Sequence, residues 1–146
     1  MTTFKIKPWL FYLLSFTWGI VMTLIGCIAS LILLIAGKKP KRNQYGWYFE
    51  ILENWGGLDL GCMCIVNRNP AQCTLDHEFG HAVQNCFFGP FMIIITIWSA
   101  IRYWYREFLT KVKKKTDLPP YDSIWFEGQA TRWGEKVYDK VYVKRQ

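Results

Sequence analysis

Trp9 to Ala36 reads WLFYLLSFTWGIVMTLIGCIASLILLIA and carries no charged side chain. A helix rises 1.5 Å per residue, so about 20 apolar residues cross the hydrocarbon core of a bilayer, and this run is long enough to cross at a tilt. Lys5 and Lys7 ahead of it and Ala36-Gly37 behind it imitate a secretory signal. The apolar part of such a signal, however, is only about 7–15 residues long. The expectation is a retained N-terminal transmembrane helix over residues 1–37, and with it an all-α membrane protein.

Charge supports a lipid partner. Lys38, Lys39, Lys41 and Arg42 follow the first apolar run, and Lys111, Lys113, Lys114 and Lys115 follow a second, Phe91 to Trp104. Basic clusters at membrane borders meet anionic head groups and mark the cytoplasmic side. They account for the net charge of +7 without any nucleic-acid-binding motif, so the bilayer and not nucleic acid is the expected partner. Five cysteines, an odd number, suit a reducing compartment.

Residues 38–72 read as a connector with one short strand. Trp47, Tyr48 and Phe49 suit the head-group zone, Gly56-Gly57 is a turn, and Leu58 to Val66 (LDLGCMCIV) has strand character. Residues 73–146 then form the chemical part of one domain. Thr74 or Asp76 caps a helix that runs to Gly89-Pro90, where it breaks or kinks. The second apolar helix is either re-entrant or spanning with Arg102 snorkelling. Asp117-Leu118-Pro119-Pro120 stops it, and a final helix follows from about Ile124.

Both histidines of the chain lie in His77-Glu78-Phe79-Gly80-His81. On a helix, residues four apart share a face, so the two imidazoles can grip one Zn²⁺, with Glu78 beside the metal as general base for an activated water. A catalytic zinc takes three protein ligands and leaves one position open. With no third histidine, and with Gln84 and Phe87 where metzincins need Gly and His, the third ligand is a carboxylate or a thiolate. Glu127, in Trp125-Phe126-Glu127-Gly128-Gln129-Ala130-Thr131, is the best candidate: its apolar flanks would make an unpaired carboxylate costly. Gly128, Ala130 and Gly134 would let its helix approach the HEFGH helix closely. Glu107, Asp122 and Glu135 are weaker alternatives. Cys62, Cys64 and Cys73 with His77 could instead form a structural zinc site.

With those residues in view, the chain resembles the gluzincins, and in particular small bacterial membrane metallopeptidases of the CAAX-prenyl-protease and heat-shock membrane metallopeptidase group. Such enzymes carry HExxH on one helix and a third-ligand Glu on a later one, in an E-x-x-A-D context. Thr131 departs from that pattern, standing where an Asp would orient a ligand histidine. The resemblance implies an endopeptidase of the inner (cytoplasmic) membrane, its site facing the cytoplasm, acting on a peptide or protein substrate. Zn²⁺ would be held by His77, His81 and Glu127, with Glu78 as base. Tyr121, Arg132 and Tyr138 are candidate oxyanion donors, and Thr131 would orient a ligand. The strand bearing Leu58, Leu60 and Cys62 would pair with extended substrate. The alternative is a non-catalytic membrane protein with a structural zinc site, an assembly or interaction factor.

Overall fold

The computed structural model describes residues 6–43, 45–53 and 55–142, with side chains described as far as 134. The chain is mostly helical but not all-α. Two short helices, α1 (Pro8–Phe16) and α2 (Ile20–Ile35), come first, then β1 (Lys41–Arg42), β2 (Trp47–Glu50), β3 (Gly57–Leu60) and β4 (Met63–Val66). Three longer helices follow: α3 (Gln72–Phe88), α4 (Met92–Lys111) and α5 (Trp125–Tyr142).

The long apolar run departs from the expectation. It is not one helix: α1 and α2 meet at a 92° bend. Hydropathy is uniform across the break, so the cause lies in tertiary contacts. The Trp18 indole donates to the Phe87 carbonyl (3.0 Å), and Asn85 donates from its side-chain amide to the Gly19 carbonyl (3.2 Å). A Cβ at Gly19 would lie 2.4 Å from the Asn85 amide nitrogen, so any larger residue at the corner displaces the Asn85 side chain that bonds it.

The connector departs from its expectation as well, because residues 41–66 form a four-stranded sheet in the order β1-β2-β4-β3. Leu58 to Val66 is not one strand but a hairpin, turning at Gly61-Cys62 with Gly61 at φ +78°. β2 runs parallel to β4, while β1 and β3 pair antiparallel at the two edges. Side chains alternate across this sheet as strand geometry requires. Phe49, Leu58, Leu60, Met63 and Ile65 pack with Met22 of α2 and Met92 of α4. Cys64 and Val66 face the other way, onto Leu75 of α3. Gly57 and Asp59, their register partners, share that face. Phe49 is fully buried here.

The sheet therefore lies between α2 with α4 on one side and α3 on the other, and α5 packs along α3. The predicted close approach of α3 and α5 is present. A Cβ at Gly80 would fall 1.8 Å from the Ala130 carbonyl oxygen, and one at Gly134 only 1.7 Å from that of Asp76. Gly128 plays no part in this seam; it faces the Asp122 carbonyl. α3 begins earlier than the expected caps, at Gln72, without a side-chain cap, so Glu78 falls in its second turn.

α3 passes into α4 through a single 3₁₀ turn, Gly89–Phe91, and Gln72–Lys111 is long and apolar enough to cross a membrane. α4 is inside-out compared with a helix of a soluble domain. Ile94, Ile97, Trp98, Ile101, Trp104 and Phe108 are exposed, while Ser99, Arg102 and Arg106 bond to groups of the chain between Pro119 and Glu127. α2 repeats the pattern, with Thr23, Gly26 and Ser30 buried and Ile28, Leu31, Ile32 and Ile35 exposed.

Candidate metal centre

α3 presents His77 and His81 one turn apart, their rings edge to face with centroids 4.8 Å apart. Because Gly80 and Gly134 let α5 touch the α3 backbone, Glu127 reaches the same point. His77 Nε2 and His81 Nε2 each lie 3.1 Å from Glu127 Oε2. The candidate ligand atoms of the three residues lie within 4.8 Å of one another, a group that can hold a metal ion. Glu127 is wholly buried, His81 nearly so, and the His77 side chain keeps 18 % exposure. That leaves an opening on the His77 side.

Hydrogen bonds on the far sides of the rings fix their tautomers. The Thr131 hydroxyl donates to the Glu127 main-chain carbonyl (3.2 Å), so its oxygen is left to accept from His77 Nδ1–H at 2.9 Å. Gln84 donates from Nε2 to the Phe126 carbonyl (2.8 Å) and to Gln129 Oε1 (2.9 Å). Its own oxygen therefore faces His81 Nδ1, 2.8 Å away, and accepts from it. Both rings are Nδ1–H donors, and both Nε2 atoms turn toward Glu127 Oε2.

Three acceptors cannot converge at these distances without positive charge between them. Protons on the ring nitrogens or one divalent cation supply it. At an effective dielectric of about 20, two imidazolium charges 4.8 Å apart repel by roughly 3.5 kcal/mol. Desolvation of each buried cation adds to that. A divalent cation brings the same charge and accepts all three lone pairs. The donor set, two neutral imidazoles and one carboxylate, fits zinc.

Glu78 is buried on α3 beside the two histidines and within electrostatic range of both rings and of Glu127. Its carboxyl group lies over Gly57 at the start of β3, where a Cβ would come 2.4 Å from Oε1. Tyr121 is brought to the site, its hydroxyl 3.3 Å from Glu127 Oε1 and its ring 6.3 Å from that of His77. Burial pushes its phenol up to about 12, so it is a donor at neutral pH. Arg132 is exposed, its guanidinium lying back over Gly128. Tyr138 lies outside the described side chains, as does Glu135.

The other candidate ligands stand apart. Glu107 pairs with Lys111 (2.6 Å), and Asp122 is exposed. Cys62 and Cys64 are buried on the hairpin, Cys73 is exposed, and no cysteine joins a metal-binding group among the described residues. Leu58 and Leu60 aim their side chains away from α3, and Cys62 sits in the turn. Gly57 and Asp59 are the strand's site-facing residues, and sequence reasoning passed over both. It also missed Gln84, although a polar residue three positions after His81 on a helix was a readable signal. Ser99, which donates to Glu127 Oε1 from α4, left no such signal within its apolar run.

A hollow of ≈ 420 Å³ between Leu34, Pro40, Lys41, Trp47 and Phe49 is lined by none of these residues. No protein-family model, curated protein or solved structure matches the chain.

Proposed function

We propose that the protein is a membrane-bound zinc-dependent endopeptidase, with His77, His81 and Glu127 as ligands and Glu78 as general base. The observation that carries this reading is the convergence of two tautomer-fixed imidazoles on one buried carboxylate oxygen, each at 3.1 Å. A site built only for structure has no use for a buried acid next to the first ligand and an opening on one side. When bound, the ion lowers the pKa of a water to about 7 and polarises the scissile carbonyl.

The chain's own groups supply the rest. Glu78 takes the proton of the attacking water and delivers it to the leaving amine, while Thr131 and Gln84 keep the imidazole lone pairs on target. Tyr121, its ring beside that of His77, stabilises the developing oxyanion. β3 is an edge strand. The Asn67 N–H bonds the Gly56 carbonyl at 3.3 Å, so by alternation Leu58 and Leu60 bond to β4. The main-chain groups of Gly57 and Asp59 therefore point away from β4; an extended peptide adding there as a strand beside Glu78 has to uncover Asp59, which is buried.

The outward apolar faces of α2 and α4 support the bilayer as a partner. The basic clusters at the ends of both helices fit a cytoplasm-facing site in the inner membrane.

The test is zinc content and peptide cleavage after purification in detergent. His77→Ala, His81→Ala and Glu127→Ala should each lose the metal. Glu78→Gln should keep it and lose cleavage by a factor on the order of 10²–10⁴, the share a general base supplies. Zinc retained in Glu127→Ala but lost in Cys62→Ser would instead support the structural alternative.

A further inference from the structure

Glu127 divides its two oxygens between two different environments. Oε2 meets the histidine pair. Oε1 receives the Ser99 hydroxyl and lies 3.3 Å from that of Tyr121, and the two hydroxyls are 3.2 Å from each other. Ser99 has one proton, and it goes to the carboxylate. Tyr121 can then donate to Ser99, forming a chain in which each bond polarises the next.

Tyr121 is itself held from α4. Arg102 bonds the Tyr121 carbonyl and Ser123 Oγ (3.2 Å for the latter), and Arg106 bonds the Pro119 carbonyl at 2.7 Å. Both guanidinium groups also sit over the Tyr121 ring, 5.2 and 5.8 Å from its centroid. Ser99, Arg102 and Arg106 are spaced at helical intervals along the inner face of α4, opposite its exposed apolar stripe.

A carboxylate can ligate through one oxygen or two. A catalytic zinc site needs a position left open, and a second carboxylate oxygen would take it. We propose that Ser99 is a positioning residue for the third ligand: its hydroxyl, backed by Tyr121, occupies Oε1 of Glu127 so that Oε2 alone is offered to the ion. This rests on the reading of His77, His81 and Glu127 as a metal site. It adds that α4, the helix with the lipid-facing stripe, sets how that metal is held.

The full chain in detergent gives the test, with zinc affinity read by competition against a chromophoric chelator and coordination read from the visible bands of the cobalt-substituted protein. Ser99→Ala should weaken zinc binding about 10–100-fold, the usual consequence of removing a ligand's hydrogen-bond partner. It should also weaken the cobalt bands, because a freed Oε1 raises the coordination number. Ser99→Thr should restore both. If Ser99→Ala fails to fold, Ser99→Cys keeps the volume with a much poorer donor and should shift both readouts the same way. Unchanged affinity or unchanged cobalt bands in Ser99→Ala, with binding still abolished by His77→Ala, overturns the role of Ser99 alone. So does loss that Ser99→Thr does not repair. A wild-type protein that binds neither metal overturns the metal site and this inference together.

Discussion

Asp59 shows what the sheet's α3-facing side demands of a single residue. Its carboxylate is buried and accepts from the Gly61 N–H at 3.2 Å. Burial drives it well above the ordinary aspartate range, and nearby Glu78 pushes the same way, against His81 and the Gly61 amide. A carboxyl whose pKa rises on folding binds its proton more tightly in the folded chain. Its contribution is fully present below the unfolded value near 3.8 and is lost as pH climbs through the folded one. Asp59→Asn cannot ionise. It should therefore melt above wild type at pH 7, with the advantage shrinking toward pH 4. Equal melting differences at both pH values would count against a buried, strained carboxylate. At this scale the sequence disclosed the residues that have a motif or a type to mark them: His77, Glu78, His81 and, by the cost of burying an acid among aromatics, Glu127. It did not disclose Gly57, Asp59 or Ser99, because their importance comes from which strand face or helix face meets the site.

The seam between α3 and α5 is the element on which the candidate metal centre depends. The side chain of Glu127 reaches the histidines only because the two backbones touch at Gly80 with Ala130 and at Gly134 with Asp76. In an isolated helix Gly80→Ala would stabilise by about 1 kcal/mol. Here the added methyl would overlap a carbonyl that cannot rotate away, and overpacking of this kind costs typically 1–3 kcal/mol or more. Gly80→Ala is expected to lower the melting temperature and, by moving α5, to weaken zinc binding together with it. A variant that gains stability and keeps its affinity would show that the seam is looser than described. Ala130 and Gly134 announced this contact in the sequence by their size. The α1–α2 corner was not announced, because Thr17-Trp18-Gly19 is apolar enough to pass as continuous helix and the bend is made by Asn85 and Phe87, about 66 to 69 positions away. The hairpin was half visible. Gly61 was in plain view, but its φ of +78° makes it a turn only once Met63 and Ile65 have a core to face.

The whole molecule places a polar, metal-competent centre between an edge strand and helices whose outer faces are apolar. Composition foretold the apolar faces and the basic ends, yet not that a sheet would stand between them. A four-residue strand such as Trp47–Glu50 carries too little periodicity to separate from a connector. His77 and Glu127 flank the apolar helix α4 in sequence, yet the topology brings them together. The segment from Val112 to Ser123 returns along α4, tied by Arg106 to Pro119 and by Arg102 to Tyr121 and Ser123, and so brings α5 back to α3. Zinc K-edge absorption on the purified full chain tests the central claim most directly. The account predicts a shell of nitrogen and oxygen alone at about 2.0–2.1 Å, with the multiple scattering of two imidazoles. Sulfur at about 2.3 Å, or a single imidazole, would contradict it.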